Sequence, residues 1–96
     1  MHEVRVSTEA GQDIDEITGH TLEKWGWRQT ARYLDRLEAT LEILARNPSI
    51  GRLCQGVHPG LRRFEVAQHV VFYTVEEHGI FIVRVLHERM LPANYI

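Results

Sequence analysis

The sequence has 96 residues, of which 44% are hydrophobic and 25% charged, with a formal net charge of −2. That length holds one domain, residues 1–96, with a core of ordinary size. Asp, Glu or Arg breaks every apolar run before it reaches the roughly 18 residues a membrane span needs, and Cys54 has no second cysteine to pair with. The opening Met-His-Glu-Val-Arg lacks the basic and apolar regions of a secretion signal. Together these features predict a cytoplasmic protein without membrane contact. The charge is unevenly spread. No acid stands between Glu42 and Glu65, a stretch that carries Arg46, Arg52, Arg62 and Arg63 with His58. A local basic surface of that kind attracts nucleic acid or an acidic protein segment, or is simply solvated.

Val4-Arg5-Val6 alternates and predicts a short first strand. Ser7 and Thr8 offer an N-cap, and Glu9, Asp13, Asp15 and Glu16 place negative charge near the positive end of the helix that follows. Ala10, Ile14, Ile17, Thr21, Leu22 and Trp25 recur at spacings of three and four as one apolar stripe, which makes Trp25 a core residue. Gly26 stops that helix. A second helix carries Ala31, Leu34, Leu37, Leu41, Leu44 and Ala45 on one face. Its other face is charged, and Arg32–Asp35 and Glu42–Arg46 stand at pairing distance along the helix. Asn47-Pro48 ends it. So tight a connection makes the two helices an antiparallel hairpin.

The second half changes period. Ile50 to Gly60 is punctuated by glycine and proline and predicts a loop. Leu61–Ala67, His69–Val75 and Ile80–Leu86 are rich in Val, Ile, Phe and Tyr and predict three strands in successive antiparallel hairpins. The fold class is therefore α+β in the order β-α-α-β-β-β, with the N-terminal strand and helical hairpin packed on a curled antiparallel sheet.

The residues Trp25-Gly26, Gln29, Tyr33, Leu37, Leu44-Ala45, Asn47-Pro48, Gly51-Arg52 and Gly60-Leu61-Arg62-Arg63-Phe64 resemble, in order and spacing, the ParE toxins of the RelE/ParE toxin–antitoxin superfamily. His69-Val70-Val71-Phe72-Tyr73 and Val83-Arg84-Val85-Leu86-His87-Glu88-Arg89-Met90 extend the resemblance over nearly the whole chain. It implies a bacterial toxin of a plasmid-stabilisation type of system, inhibiting DNA gyrase and neutralised by a ParD-like antitoxin. DNA contact is then expected only through that antitoxin. The alternatives are a RelE-like ribosome-dependent mRNA endonuclease and a non-toxic relic that retains only antitoxin binding.

Fold does not choose between these, so the site residues must. RNA cleavage needs a group to take the 2′-hydroxyl proton, cations for the phosphate and an acid for the leaving oxygen. His87, Arg84, Arg62 or Arg63, Glu88 and Tyr95 have the right chemistry. The sheet-borne lysines of the RelE branch are absent, since Lys24 is the only lysine and lies on a predicted helix. The reading therefore leans to a non-catalytic inhibitor with no catalytic residue assigned.

Arg62, Arg63, Arg84, His87 and Arg89 form the candidate target-binding set, and alternation puts Arg62 and Arg63 on opposite faces of the sheet. Against a target role for Arg84 and Arg89 stands pairing with Glu65 or Glu88. Trp27 and Tyr33 are the candidate antitoxin anchors, set on a hairpin that can receive an amphipathic helix. Tyr73 is expected to pack. His2, His20, His58, His69, His78 and His87 show no metal-ligand spacing, and no metal or cofactor is predicted.

Overall fold

A computed structural model describes residues 2–96. The first strand, β1, spans Glu3–Val6. Ser7 caps the helix that follows, α1 (Thr8–Trp25), by accepting the Ala10 N–H on its hydroxyl at 2.9 Å. Gly26 alone separates α1 from α2 (Trp27–Arg46). Its φ of +85° is backbone that glycine adopts without a Cβ penalty. Its N–H closes α1 on the Leu22 carbonyl at 3.0 Å, and its carbonyl accepts both the backbone N–H and the hydroxyl of Thr30.

After a 3₁₀ turn at Pro48–Ile50 come β2 (Arg52–Leu53), β3 (Arg62–Val66), β4 (His69–Glu76) and β5 (Gly79–His87), then a second 3₁₀ turn at Pro92–Asn94. One sheet runs in the order β1-β5-β4-β3-β2. Its later strands are antiparallel, as predicted, but β1 joins it as a strand parallel to β5. Gly79 makes that junction possible: a Cβ there would overlap the backbone of Glu3, its partner in register. The chain is thus a strand, two helices and four strands. The additional strand, β2, falls inside the predicted loop. Two residues are too few to display alternation, and only the return of the chain onto Arg62 and Arg63 makes them a strand.

The helices cover one face of the sheet. Ala10, Leu37, Leu44 and Ala45 pack there on Val66, Val71, Tyr73, Ile80, Ile82 and Val85. Tyr73 is buried, as expected; its hydroxyl donates to the Pro48 carbonyl at 2.7 Å and accepts the Gly51 N–H at 3.0 Å. The opposite face has its own smaller core of Leu61, Val70, Phe72 and Leu86, against which Cys54, Val57, Met90 and Ile96 pack.

Three helix expectations change. Trp25 is 62% exposed and Leu22 is exposed, so the last turn of α1 lies outside the core; Trp25 borders an open groove instead. On α2, Ala31 is exposed and Thr30 takes the buried place, its hydroxyl satisfied by Gly26. The pairs Arg32–Asp35 and Glu42–Arg46 do not form; among the described residues the ion pairs are Arg5–Glu76, Arg52–Glu65, Arg63–Glu65 and Arg84–Asp13. Exposed helix pairs gain too little in water to hold two long side chains together. No helix among the described residues is long and apolar enough to cross a membrane.

Candidate partner-binding surfaces

Where β1 ends at Val6, the edge of β5 beyond Ile82 loses its neighbouring strand. Side chains take over. The Ser7 hydroxyl donates to the Val83 carbonyl at 2.7 Å, and the Asp13 carboxylate accepts the Val85 N–H at 3.0 Å. A bulge opposite Phe72 and Tyr73 breaks the alternation of β5 there, so that Ile82 and Val85, three apart, both reach the helix-side core. Arg84 sits between them and grips Asp13 with two bonds: Nε to Oδ2 at 2.7 Å and Nη2 to Oδ1 at 2.8 Å. Nη1 donates to the carbonyl of Tyr95 at 3.0 Å, which ties the C-terminal tail to the same post. The hydrogen bond to Asp13 pushes the Arg84 guanidinium further above its already high pKa. Arg84 therefore pairs with Asp13 rather than with Glu65 or Glu88.

The other cationic candidates have separate partners. Arg62 Nη1 donates to the carbonyls of Gly51 at 2.6 Å and Ser49 at 3.2 Å, closing the loop after α2. Arg63 lies over the Phe72 ring, with its carbon centre 5.5 Å from the centroid, and shares Glu65 with Arg52. Arg89 is exposed in the turn after β5 and has no ion pair among the described residues. His87 faces His69 across β4 and β5, the two rings meeting edge to face at 5.6 Å. The five residues thus divide among four surroundings and do not converge on one point.

Of the antitoxin candidates, Tyr33 lines a groove and Trp27 lies outside it. One depression of about 250 Å³ is lined by Thr21, Trp25, Gln29, Tyr33, Ala67, Gln68 and His69. His69 also lines two adjoining depressions that take in Glu16, Ile17, His20, His87 and Met90. The groove thus runs along α1, past the β3–β4 turn, to the end of β5. Tyr33 lies half-buried in its wall with its hydroxyl 3.0 Å from His69 Nδ1. Burial pushes that hydroxyl up to about 12, so it stays protonated. Burial and the neighbouring His87 hold the His69 imidazole below its ordinary pKa. Trp27 stands 70% exposed on the far side of the Gly26 turn, with Arg28 over its ring.

Asp13, His20, His69 and Trp25 escaped the sequence-level site. Asp13 had a signal: it falls on the Ala10–Ile14–Ile17 stripe, where a carboxylate must find a buried partner. The histidines had none, because tertiary pairing alone brings them together. No cluster of three or more His, Cys, Asp or Glu among the described residues is placed to hold a metal ion.

Comparison with known proteins bears on the whole chain. A family model described as the ParE toxin of the type II toxin–antitoxin system parDE matches residues 4–92. The chain belongs to the ParE toxin family. Toxin ParE1 of Mycobacterium tuberculosis is 40% identical over 86 residues, 88% of each chain. Toxin ParE1 of Caulobacter vibrioides is 38% identical over 90 residues, 94% of this chain and 93% of that one. The ParE fold recurs in a solved structure of a chromosomal ParDE toxin–antitoxin system from Pseudomonas aeruginosa. The two superpose with a TM-score of 0.76 over 91% of this chain and 96% of that one, at 20% identity.

Proposed function

We propose that this ParE-family chain inhibits DNA gyrase without catalysing a reaction, acts in the cytoplasm, and is held inactive by a ParD-like antitoxin through which alone it meets DNA. One observation carries the non-catalytic part. An RNA-cleaving centre gathers free cations and an acid–base pair around one phosphate. Here Arg62, Arg63 and Arg84 are each committed to carbonyls or carboxylates of the fold, and Lys24 lies in the last turn of α1. His87 has His69 for a neighbour and no ion-pair partner among the described residues.

The antitoxin surface is the hairpin and its groove, with Trp27 and Tyr33 as anchors and Trp25 beside them. The target surface is the end of the sheet. Arg89 is its free cation with His87 beside it, Arg84 braces β5 ahead of them, and Arg62 and Arg63 add charge from β3.

Expression of the chain alone in bacteria tests the reading. Loss of supercoiling, filamentation and a DNA-damage response with intact messenger RNA are expected. Rapid codon-specific mRNA cleavage with normal gyrase activity would overturn it in favour of a RelE-like endonuclease.

A further inference from the structure

The groove contains a titratable pair of which only His87 has a role above. His69 opens β4, His87 closes β5, and the two stand in register. His87 Nδ1 accepts the Arg89 N–H at 3.2 Å, and His69 Nδ1 lies 3.0 Å from the Tyr33 hydroxyl. Because its Nδ1 accepts, the neutral His87 ring carries its proton on Nε2.

Charged and titratable groups surround the pair. From α1 come Glu16 and His20, with Asp13 already committed to Arg84. From α2 come Tyr33 and, behind it, Arg36. The turn after β5 brings Glu88 and Arg89, while the β3–β4 turn offers only the neutral Gln68. No carboxylate forms an ion pair with any histidine among the described residues. Charging one ring sets a cation beside the other in a half-buried seam, where the nearby Glu88 offsets it only in part. An incoming carboxylate would add to that balance.

We infer that the His69–His87 pair is the seat of an acidic side chain of the antitoxin segment, and that the pair takes up one proton as that side chain docks. This rests on the groove being the antitoxin's. The occupant follows from charge and surface together. The exposed Arg28, Arg32 and Arg36 of α2 favour an acidic segment, and Ile17, Trp25 and Met90 along the groove favour one with an apolar face. Uptake of a proton on binding obliges affinity to rise as pH falls.

Calorimetry of the whole chain with a full-length ParD-like antitoxin provides the test. Affinity is expected to be roughly 3- to 5-fold tighter near pH 6 than near pH 8, because a one-unit rise of an imidazole that starts below 6.5 reaches its full 10-fold only at lower pH. At neutral pH, two buffers of different ionisation heat should report net proton uptake, a readout that needs no variant. The double substitution His69→Gln, His87→Gln should abolish both the pH dependence and the proton uptake, with circular dichroism confirming the fold. Equal affinity at the two pH values, net proton release, or pH dependence that survives the double substitution overturns the seat and leaves the toxin–antitoxin reading standing. Absence of binding at either pH overturns both.

Discussion

Asp13 and Arg84, 71 residues apart in sequence, form the two-bonded ion pair that joins α1 to the bulged end of β5. Their side chains are only 10% and 20% exposed, and Asp13 also stands in for the missing strand at the Val85 N–H. Asp13→Ala leaves a guanidinium and a backbone donor without their acceptor. It should cost about 2–4 kcal/mol in urea unfolding, with Arg84→Ala nearly as costly because it strands the carboxylate. Arg84→Ala is then expected to lose toxicity together with stability. Arg89→Ala should keep its stability and still weaken gyrase inhibition in a supercoiling assay.

Gly79 bears on the join between β1 and the sheet. Gly79→Ala places a methyl against the backbone of Glu3, which no rotamer change can relieve. The expected cost is about 1–3 kcal/mol in thermal or urea unfolding. Hydrogen exchange should locate the loosening at β1 and the Val4–Ile80 pairing rather than at the β3–β4 hairpin.

Acid should destabilise the free chain through His69. Its imidazole is held below the ordinary value of 6.5 in the fold, chiefly by burial and then by His87. The unfolded chain therefore binds the proton more readily. The stabilisation is complete above pH 6.5 and is lost as pH falls from there toward the folded value. The urea midpoint should drop across that window in the parent, and His69→Gln should flatten that part of the profile. An unchanged profile would remove His69 as its source.

Trp27 separates recognition from folding. At 70% exposure it contributes little to the core, so Trp27→Ala should change stability by less than about 0.5 kcal/mol. Antitoxin affinity should fall by about 2 kcal/mol or more, read by calorimetry or surface plasmon resonance, if the ring is a buried anchor of the complex. Tyr33→Phe should keep most of the affinity and lose only the bond to His69. Parent-like affinity in Trp27→Ala would move the anchor to Trp25.

Local pattern determined much of this protein. The N-cap at Ser7, the glycine turn at Gly26, the stop at Asn47-Pro48 and the strand-rich second half are short-range matters. Each depends on residues within a turn or two of one another, and each stands where the sequence puts it. The family was legible for the same reason, in ordered residues spread over most of the chain. Tertiary structure alone decided the rest. Periodicity says which face of a helix is apolar but not which of its turns the core covers, so Trp25 shares the stripe of Ile17 yet stands in solvent. Alternation cannot register a bulge, and the bulge at Val83 lets Arg84 reach Asp13 instead of an acid nearer in sequence. The His69–His87 pair likewise exists only because β4 and β5 fall in one register. A charged side chain takes the partner that backbone topology brings within about 3 Å, and sequence separation does not enter that distance.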